Sequence, residues 1–303
     1  MQKKIIVVGS SNTDMVLKTA RFPAPGETII GGDFFVFQGG KGANQAVAAA
    51  RAGGEVQFIC RVGSDSFGVN AVQHYSNEGI DVSGIVKDEG APTGVAVITV
   101  DAEGENSIIV ASGANALLAV YDVARAVDNS EAEWLITQME TPLDVIAYLA
   151  KHARQHKKKL VLNPAPAAAL PEDVYNGLFL ITPNETETAL LTGIAVTDEA
   201  SAKEASAVFK SKGVQNVIIT LGSKGAYVEA GNFNGIVASP RVKAVDTTAA
   251  GDVFNGALIV ALSEGQHWDP SVRFACKAAA LSVTKMGAQT SAPTRTEIEN
   301  FQH

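Results

Sequence analysis

A run of small residues stands directly before an apolar stretch with helical spacing. From Val245 to Leu258 the sequence reads VDTTAAGDVFNGAL. Because residues 248–251 are small, backbone N–H groups can converge there at a helix N-terminus, which suits a phosphate. Asp252 would lie on the first turn, where the amides and the helix dipole favour an ionised carboxylate. An anion site beside a base can move a phosphoryl group onto a hydroxyl. A helix capped by Thr247 or Thr248, with an acidic first turn, explains the run equally well.

A second small-residue loop, GGKGANQA, spans residues 39–46. A phosphate-binding P-loop requires Ser or Thr after Gly-Lys, whereas Gly42 follows here. The glycines allow a ligand to approach the backbone closely, and Lys41 and Asn44 offer donors. A flexible turn that caps a helix is the alternative.

Two further segments follow apolar strands. The segment GSSNTD at residues 9–14 lacks the second glycine of a dinucleotide fingerprint. In an extended chain Asn12 and Asp14 project to one side, where they could hold vicinal hydroxyls of a sugar. An Asx-turn is the alternative. Glu140 lies at the edge of the sheet where α/β proteins bind ligands, although a glutamate on its own there is more often a solvated loop charge.

Three segments near the C-terminal half have both structural and functional interpretations. Asn184 and Glu187 match an N-cap and its reciprocal partner. The segment 220–228 predicts a strand, a glycine-containing turn and a strand, which could admit an adenosine or simply form a hairpin. Carbonyl groups in the loop 287–291 could bind a monovalent cation, although an ordinary surface turn has the same composition.

The elements that must position these residues alternate between strand and helix. The predicted strands are 5–8, 56–62, 134–138, 159–163, 178–182 and 217–221, and the predicted helices are 44–52, 143–156, 185–191, 201–212 and one that begins near Cys276. This alternation predicts a mainly parallel sheet with helices on both faces. Segments 28–38 and 95–110 instead predict antiparallel strands of a small second sheet.

Composition restricts the function classes. The chain has 303 residues, 46% of them hydrophobic and 18% charged, and a net charge of −8. This acidic balance argues against nucleic-acid and membrane-surface partners. The only cysteines, Cys60 and Cys276, suggest neither a disulfide scaffold nor a zinc site. The apolar part of the N-terminus is too short for a signal peptide, and no run is long enough to span a membrane. We therefore predict a cytoplasmic protein.

The order of these motifs resembles the ribokinase-like, phosphofructokinase-B type carbohydrate kinases over nearly the whole chain. The segments that carry the resemblance are 9–14, 39–44, 140, 184–187, 220–225, 246–252 and 287–289. It implies one three-layer α/β/α domain (1–303) with a mainly parallel central sheet and a small β-sheet lid built from about 12–40 and 93–112. In this family the lid commonly pairs with that of a second subunit, which implies a homodimer.

The resemblance also implies a reaction and its cofactors. The expected reaction is ATP-dependent phosphorylation of D-ribose at O5, with Mg²⁺ arriving with ATP and K⁺ as an activating cation. A kinase for deoxyribose, fructose or a nucleoside is the nearest alternative. A nicotinamide-dependent oxidoreductase and a non-catalytic sugar-binding regulator are more distant ones.

Site roles follow from the same resemblance. The sugar-binding residues would be Asn12, Thr13, Asp14, Gly40, Lys41, Gly42, Ala43, Asn44, Glu140 and Asp252. The ATP-binding residues would be Asn184, Thr220, Leu221, Gly222, Ser223, Lys224, Gly225, Gly251, Asp252 and Cys276. Asp252 would be the base, and the amides of Ala249, Ala250, Gly251 and Asp252 the anion hole. The potassium site would comprise Asp246, Thr248, Ser282, Lys285, Gly287 and Ser291, and Glu187 would assist Mg²⁺ from its outer coordination shell. Two positions depart from the family pattern: Ala249 is often Gly, and Cys276 stands where Asn is frequent.

Overall fold

The computed structural model describes residues 4–302 and confirms a three-layer α/β/α architecture. The strands are β1 (Lys4–Val8), β2 (Asn12–Lys18), β3 (Asp33–Gly39), β4 (Glu55–Ile59), β5 (Arg61–Gly63), β6 (Val86–Asp88), β7 (Gly94–Val100), β8 (Asn106–Ala111), β9 (Trp134–Thr137), β10 (Lys159–Leu162), β11 (Leu178–Ile181), β12 (Asn216–Thr220), β13 (Ala226–Ala230) and β14 (Phe233–Val237). The α-helices are α1 (Lys41–Arg51), α2 (Ser66–Asn77), α3 (Val120–Val127), α4 (Leu143–His156), α5 (Glu172–Tyr175), α6 (Glu185–Thr192), α7 (Glu199–Ser211), α8 (Ala250–Ser263), α9 (Trp268–Ser282) and α10 (Arg295–Asn300). Short 3₁₀ turns occupy Gly113–Leu117 and Gly222–Lys224.

The central sheet has eight strands in the order β14-β13-β12-β11-β10-β9-β1-β4. Its strands run parallel from β12 to β4, whereas β13 and β14 are added antiparallel at one edge. The apolar run of β1 shows why the sheet lies inside: Ile5 and Val7 pack with α1, α8 and α9 on one face, and Ile6 and Val8 pack with α4 and α7 on the other. Strands buried on both faces require such continuous apolar runs.

The β-lid is a separate four-stranded sheet in the order β3-β2-β7-β8. Strand β2 pairs antiparallel with β3 and parallel with β7, and β7 pairs antiparallel with β8. The register places Asp14, Phe37, Ala96 and Val110 side by side across the four strands, on one face of the β-lid.

Most predicted elements are confirmed, but several boundaries are wrong. The predicted strand 56–62 is two strands, because β5 leaves the central sheet and pairs with β6. The predicted strand 28–38 begins only at residue 33, since Gly31 and Gly32 have φ of 119° and 108°. Helix α1 begins three residues before its predicted start.

The predicted start of the helix near Cys276 is also wrong. Helix α9 begins at Trp268, so Cys276 lies in its middle. Pro270 is tolerated in the first turn because an N–H there has no intrahelical partner to lose. Across residues 4–302, none of the helices combines the length and apolarity that crossing a membrane demands.

Candidate active site

The predicted site residues converge at one edge of the central sheet, where its parallel strands end. Loops after β1, β9, β11 and β12 carry residues 9–11, Glu140, Asn184 and 222–225 respectively, residues 12–14 open β2, and α1 and α8 begin beside them. Helices α1 and α8 pack against each other along their length, because Gly256 brings the backbone of α8 close to Gln45, Ala48 and Ala49. Two helix N-termini therefore face the same space.

The start of α8 decides between the two interpretations of the run 245–258. Ala249 occupies the N-cap position with φ of 60°, and no side chain caps the helix. Capping by Thr247 or Thr248 through its side chain is therefore wrong. A non-glycine residue in the left-handed region costs free energy and is found where function requires the backbone shape.

The backbone N–H groups of this helix end are largely unoccupied. Within residues 4–302, those of Ala249, Gly251 and Asp252 have no hydrogen-bond acceptor, while that of Ala250 donates to the Thr247 carbonyl at 3.3 Å. A Cβ built on Gly251 would meet nothing within 4 Å, so there is open space beside this residue at the helix end. The arrangement suits an incoming phosphoryl group.

Asp252 is buried beside this open end, with 5% of its surface exposed. Its Oδ2 accepts from Asn44 Nδ2 at 3.0 Å and its Oδ1 from Gln45 Nε2 at 2.9 Å. Burial raises the pKa of Asp252, and Lys41, Asn44 and Gln45 oppose that rise. The sequence-based argument from the helix dipole omitted burial. The charged form depends instead on specific neighbours.

Three more ionisable side chains surround the same space. Burial, with Glu140 and Asp252, raises the pKa of Asp14 to about 7. Burial lowers the pKa of Lys41, but the charges of Asp252, Glu140, Glu187 and Asp14 outweigh it and raise that pKa overall. Lys41 therefore remains an ammonium group that balances several carboxylates.

The candidate sugar-binding residues of β2 are held in place by neighbouring protein groups. Asn12 Oδ1 accepts from Asn115 Nδ2 at 2.7 Å, which directs the Asn12 amide group, and its Nδ2 donates to no residue within 4–302. The neighbouring Thr13 is fully buried, and its Oγ1 has no hydrogen-bond partner among those residues. The carboxylate of Asp14 lies over Gly39, where a Cβ would approach it to 2.1 Å.

The start of α1 is held by protein groups. Glu140 Oε2 accepts from Ser10 Oγ at 2.5 Å and from the Lys41 N–H at 3.0 Å. The N–H groups of Gly42 and Ala43 donate to the hydroxyl and the carbonyl of Ser10. Ala43 is fully buried, so its predicted role at the sugar is confined to shaping this loop. Gly40 needs its φ of 90°, which glycine adopts freely.

The predicted ATP residues form a more exposed rim. Asn184 caps α6 and shares a capping box with Glu187, as the sequence predicts, and it bridges to Thr220. Residues 222–224 are exposed, whereas Leu221 and Gly225 are buried. Cys276 is only 3% exposed, and burial raises the pKa of its thiol to about 12. A neutral thiol at that position packs rather than binds charge.

The two loops predicted to bind potassium lie together. Val245 and Asp246 donate N–H groups to the Val283 carbonyl, and Asp246 Oδ2 accepts from the Gly287 N–H at 2.8 Å. The Ser282 carbonyl accepts from the Lys285 N–H, and the Lys285 side chain pairs with a glutamate on α10. In the described part of the chain, no hydrogen bond reaches the carbonyls of Asp246, Thr248, Gly287 and Ser291. Carbonyl oxygens without a hydrogen-bond donor are available as cation ligands.

Several side chains that support the site were missed by the sequence analysis. They are Ser10, Gln45, Asn115, Gln138 and Asn163. Gln138 and Asn163 each stand directly after a buried parallel strand, as Gly9 does. That shared position was the available signal, since the strand ends meet at this edge.

Comparisons with known proteins agree with this geometry. A model of the pfkB family carbohydrate kinases matches residues 2–295. The chain is 45% identical to a ribokinase of Haemophilus influenzae over 99% of both chains, and 34% identical to a deoxyribokinase of Salmonella typhi over 98% of this chain and 97% of that one. The structure of an Arabidopsis thaliana ribokinase complexed with ribose and ATP matches with a TM-score of 0.91 and 30% identity over 100% of both chains. With a buried carboxylate beside an open helix N-terminus and a family match over nearly its whole length, the chain belongs to the pfkB family of carbohydrate kinases.

Proposed function

We propose that this kinase transfers the γ-phosphoryl group of ATP to O5 of D-ribose, giving ribose 5-phosphate and ADP. The observation that carries the proposal is the position of Asp252. Its buried carboxylate lies beside the N–H groups at the start of α8 that have no acceptor within residues 4–302. It also accepts a hydrogen bond from Asn44, at the end of the loop 39–44 that we propose holds the sugar. A base and an anion site therefore share the first turn of α8, and Asn44 of the proposed sugar site contacts the base from α1.

Each step of the transfer has a residue to support it. Asn12, Asp14 and Asn44 hold the sugar, and the buried Asn44 Oδ1, which has no other partner within residues 4–302, can accept from a hydroxyl. Asp252 takes the proton of the 5-hydroxyl as the O5–P bond forms and the bond to ADP breaks. The N–H groups of Gly251 and Asp252 stabilise the charge on the transferring group.

Bound Mg²⁺ would supply charge neutralisation on the ATP phosphates and keep much of its water shell. We assign Glu187 as the carboxylate that would contact that water. It is buried, and its charge acts on both Lys41 and Asp252.

Two observations favour ribose over deoxyribose as the substrate: the free amide donor of Asn12 and the sequence identity to known ribokinases. A deoxy-sugar would leave a buried amide donor without a partner, which penalises binding. The ribokinases of Haemophilus influenzae and Bacillus subtilis are 45% and 37% identical to this chain, above the 34% of the Salmonella typhi deoxyribokinase, while the Arabidopsis thaliana ribokinase is 30% identical. The test compares kcat/KM for ribose, deoxyribose, fructose and adenosine by coupled ADP release. Ribose should be the best substrate. A higher value for another sugar would reassign the substrate and leave the kinase reaction in place.

We also propose that K⁺ activates the enzyme through the loops 246–248 and 287–291. The four unoccupied carbonyls support this assignment. Replacing Na⁺ with K⁺ at constant ionic strength should raise kcat. If kcat stays the same, the cation assignment is wrong.

A homodimer through the β-lid is a further part of the proposal. The face of the β-lid opposite Asp14 carries the partly exposed side chains of Phe34 (59% exposed), Val97 (48%) and Ile109 (71%). This apolar surface is suited to packing against a second copy of the chain. Light scattering should give twice the mass of the chain, and Ile109→Asp should lower it to that of a monomer. A monomeric wild-type protein would contradict this.

We place the reaction in the cytoplasm, which the use of ATP and the two buried free thiols support.

A further inference from the structure

We propose that Gln45 is a positioning residue for the base Asp252, and that Gln138 and Asn163 hold Gln45 in the required orientation. The inference rests on the proposed function, because it assigns Asp252 the role of base. None of these three side chains needs to touch the sugar or ATP to act in this way.

Gln45 donates both hydrogens of its side-chain amide to other side chains of the protein. One goes to Asp252 Oδ1 at 2.9 Å and the other to Asn163 Oδ1 at 3.1 Å. Asn163 is oriented in turn, because its Nδ2 donates to the Thr182 carbonyl at 3.3 Å. A backbone carbonyl cannot donate, so Asn163 must present oxygen to Gln45.

The other end of the Gln45 amide is also fixed. Gln138 Nε2 donates to Gln45 Oε1 at 2.6 Å. If Gln45 turned by 180°, its oxygen would face the carboxylate of Asp252 and the oxygen of Asn163, and its nitrogen would face the Gln138 donor. All three hydrogen bonds would be lost together. The chain of amides therefore has one direction, which ends in a donor aimed at Asp252.

Stability alone does not account for this group. Gln45 and Gln138 are fully buried, and Asn163 is 7% exposed. A buried amide oxygen without a hydrogen bond is costly, and Gln138 Oε1 has no hydrogen-bond partner within the described residues. Gly9 also accommodates Gln138, because a Cβ there would lie 2.1 Å from its Oε1. An apolar side chain of similar size would fill the space at lower cost.

The consequence for Asp252 is a fixed carboxylate plane. Oδ1 accepts from Gln45 and Oδ2 accepts from Asn44, so the carboxylate is held from both sides, and we assign Oδ2, on the side of the loop proposed to hold the sugar, as the oxygen that takes the proton. The hydrogen bond from Gln45 favours the charged carboxylate, in the same direction as Lys41 and against burial. The other charged groups that act on Asp252 are Glu140, Asp14 and Glu187.

The test measures kcat against pH at saturating substrate for wild type, Gln45→Met, Gln138→Met and Gln57→Met. Gln57 is a matched control, since it is a buried glutamine that bonds Ser83 on the far side of β4 from the site. In Gln45→Met we expect kcat to fall about 30-fold, KM for the sugar to change less than about threefold, and the acid limb of kcat to move to higher pH. Gln138→Met should show the same changes at smaller size. Gln57→Met should keep the wild-type kcat and acid limb.

A folded Gln45→Met protein with the wild-type kcat and acid limb would overturn the proposal. The proposal would also be overturned if, at an equal loss of stability, Gln45→Met changed kcat and its acid limb no more than Gln57→Met does. If Gln45→Met does not fold, Gln138→Met decides, and an unmoved acid limb in it would count against the proposal. The sugar is whichever one wild type turns over best, so a failure with ribose would overturn the proposed function and leave this test intact.

Discussion

Two helices begin at the active site after similar loops of small residues, yet their N-termini differ. At the start of α1, the N–H groups of Lys41, Gly42 and Ala43 all donate to Ser10 or Glu140. At the start of α8, those of Gly251 and Asp252 donate to no residue within 4–302. The first end is closed by the protein and the second is open.

The difference separates a scaffold from a binding site. From the sequence, each of the two loops resembles a phosphate-binding loop, because small residues before a helix are compatible both with a fixed helix start and with an open anion site. The partners of the N–H groups distinguish them. The N-terminus of α1 fixes the loop of residues 39–44, whereas the N–H groups at the start of α8 are available to a ligand that carries negative charge.

The largest effect should come from removing the base at the open end. Asp252→Asn should lower kcat by on the order of 100-fold or more, because the amide cannot accept the hydroxyl proton. The fold should be retained, since the amide oxygen can still accept from Gln45, and Asn44 can turn its own amide so that its Oδ1 accepts from the new Nδ2. Steady-state kinetics and thermal unfolding measure the two quantities. Near-normal turnover would exclude Asp252 as the base.

Adding one methyl group at each helix start should have opposite consequences. Gly42→Ala should lower the free energy of unfolding by about 3 kcal/mol, because its Cβ would lie 2.6 Å from the backbone of Gly9. Gly251→Ala should leave stability unchanged, because its Cβ has open space, and should lower kcat/KM for ATP by about 10-fold by crowding the phosphoryl group. Denaturant unfolding and kinetics on both variants check this. The reverse pattern would show that α1 holds the phosphate.

A smaller effect concerns Asp14, which faces both helix starts from the β-lid. Its raised pKa of about 7 means that the folded protein holds this proton more tightly than the unfolded chain, whose value is near 3.8. Ionisation therefore costs stability, and the cost grows from about pH 4 to pH 7 and stays constant above. Asp14→Asn should raise Tm by about 3 °C at pH 8 and by less at pH 5, while kcat/KM for the sugar falls. An equal change in Tm at both pH values would contradict the assigned pKa.

The smallest effect is expected from Ala249→Gly. Glycine relieves the positive φ of 60° without adding atoms to the anion site. Turnover should stay within about twofold of wild type, and Tm should not fall. A large loss of turnover would mean that the Ala249 methyl group itself contributes to the site.

Long apolar runs and cap signals in the sequence predict the fold well. The strand at 5–8, the helix at 143–156 and the capping box of Asn184 are confirmed. The motifs also identify Asp252 and Asn44, which the structure brings into contact. The amide chain of Gln45 was not predicted, because its partners lie 93 to 207 residues away along the chain and show no local pattern. The predicted start of α9 was wrong, because the helix begins at Trp268 and accommodates Pro270 in its first turn.

The most direct measurement is a crystal structure with ribose, ADP and a planar mimic of the transferring phosphoryl group. We expect the mimic to accept hydrogen bonds of about 3 Å from the N–H groups of Gly251 and Asp252. The sugar 5-hydroxyl should lie within hydrogen-bond distance of Asp252 Oδ2. A mimic bound at the start of α1, or a 5-hydroxyl that contacts another base, would contradict the assignment of the open helix end as the site of transfer.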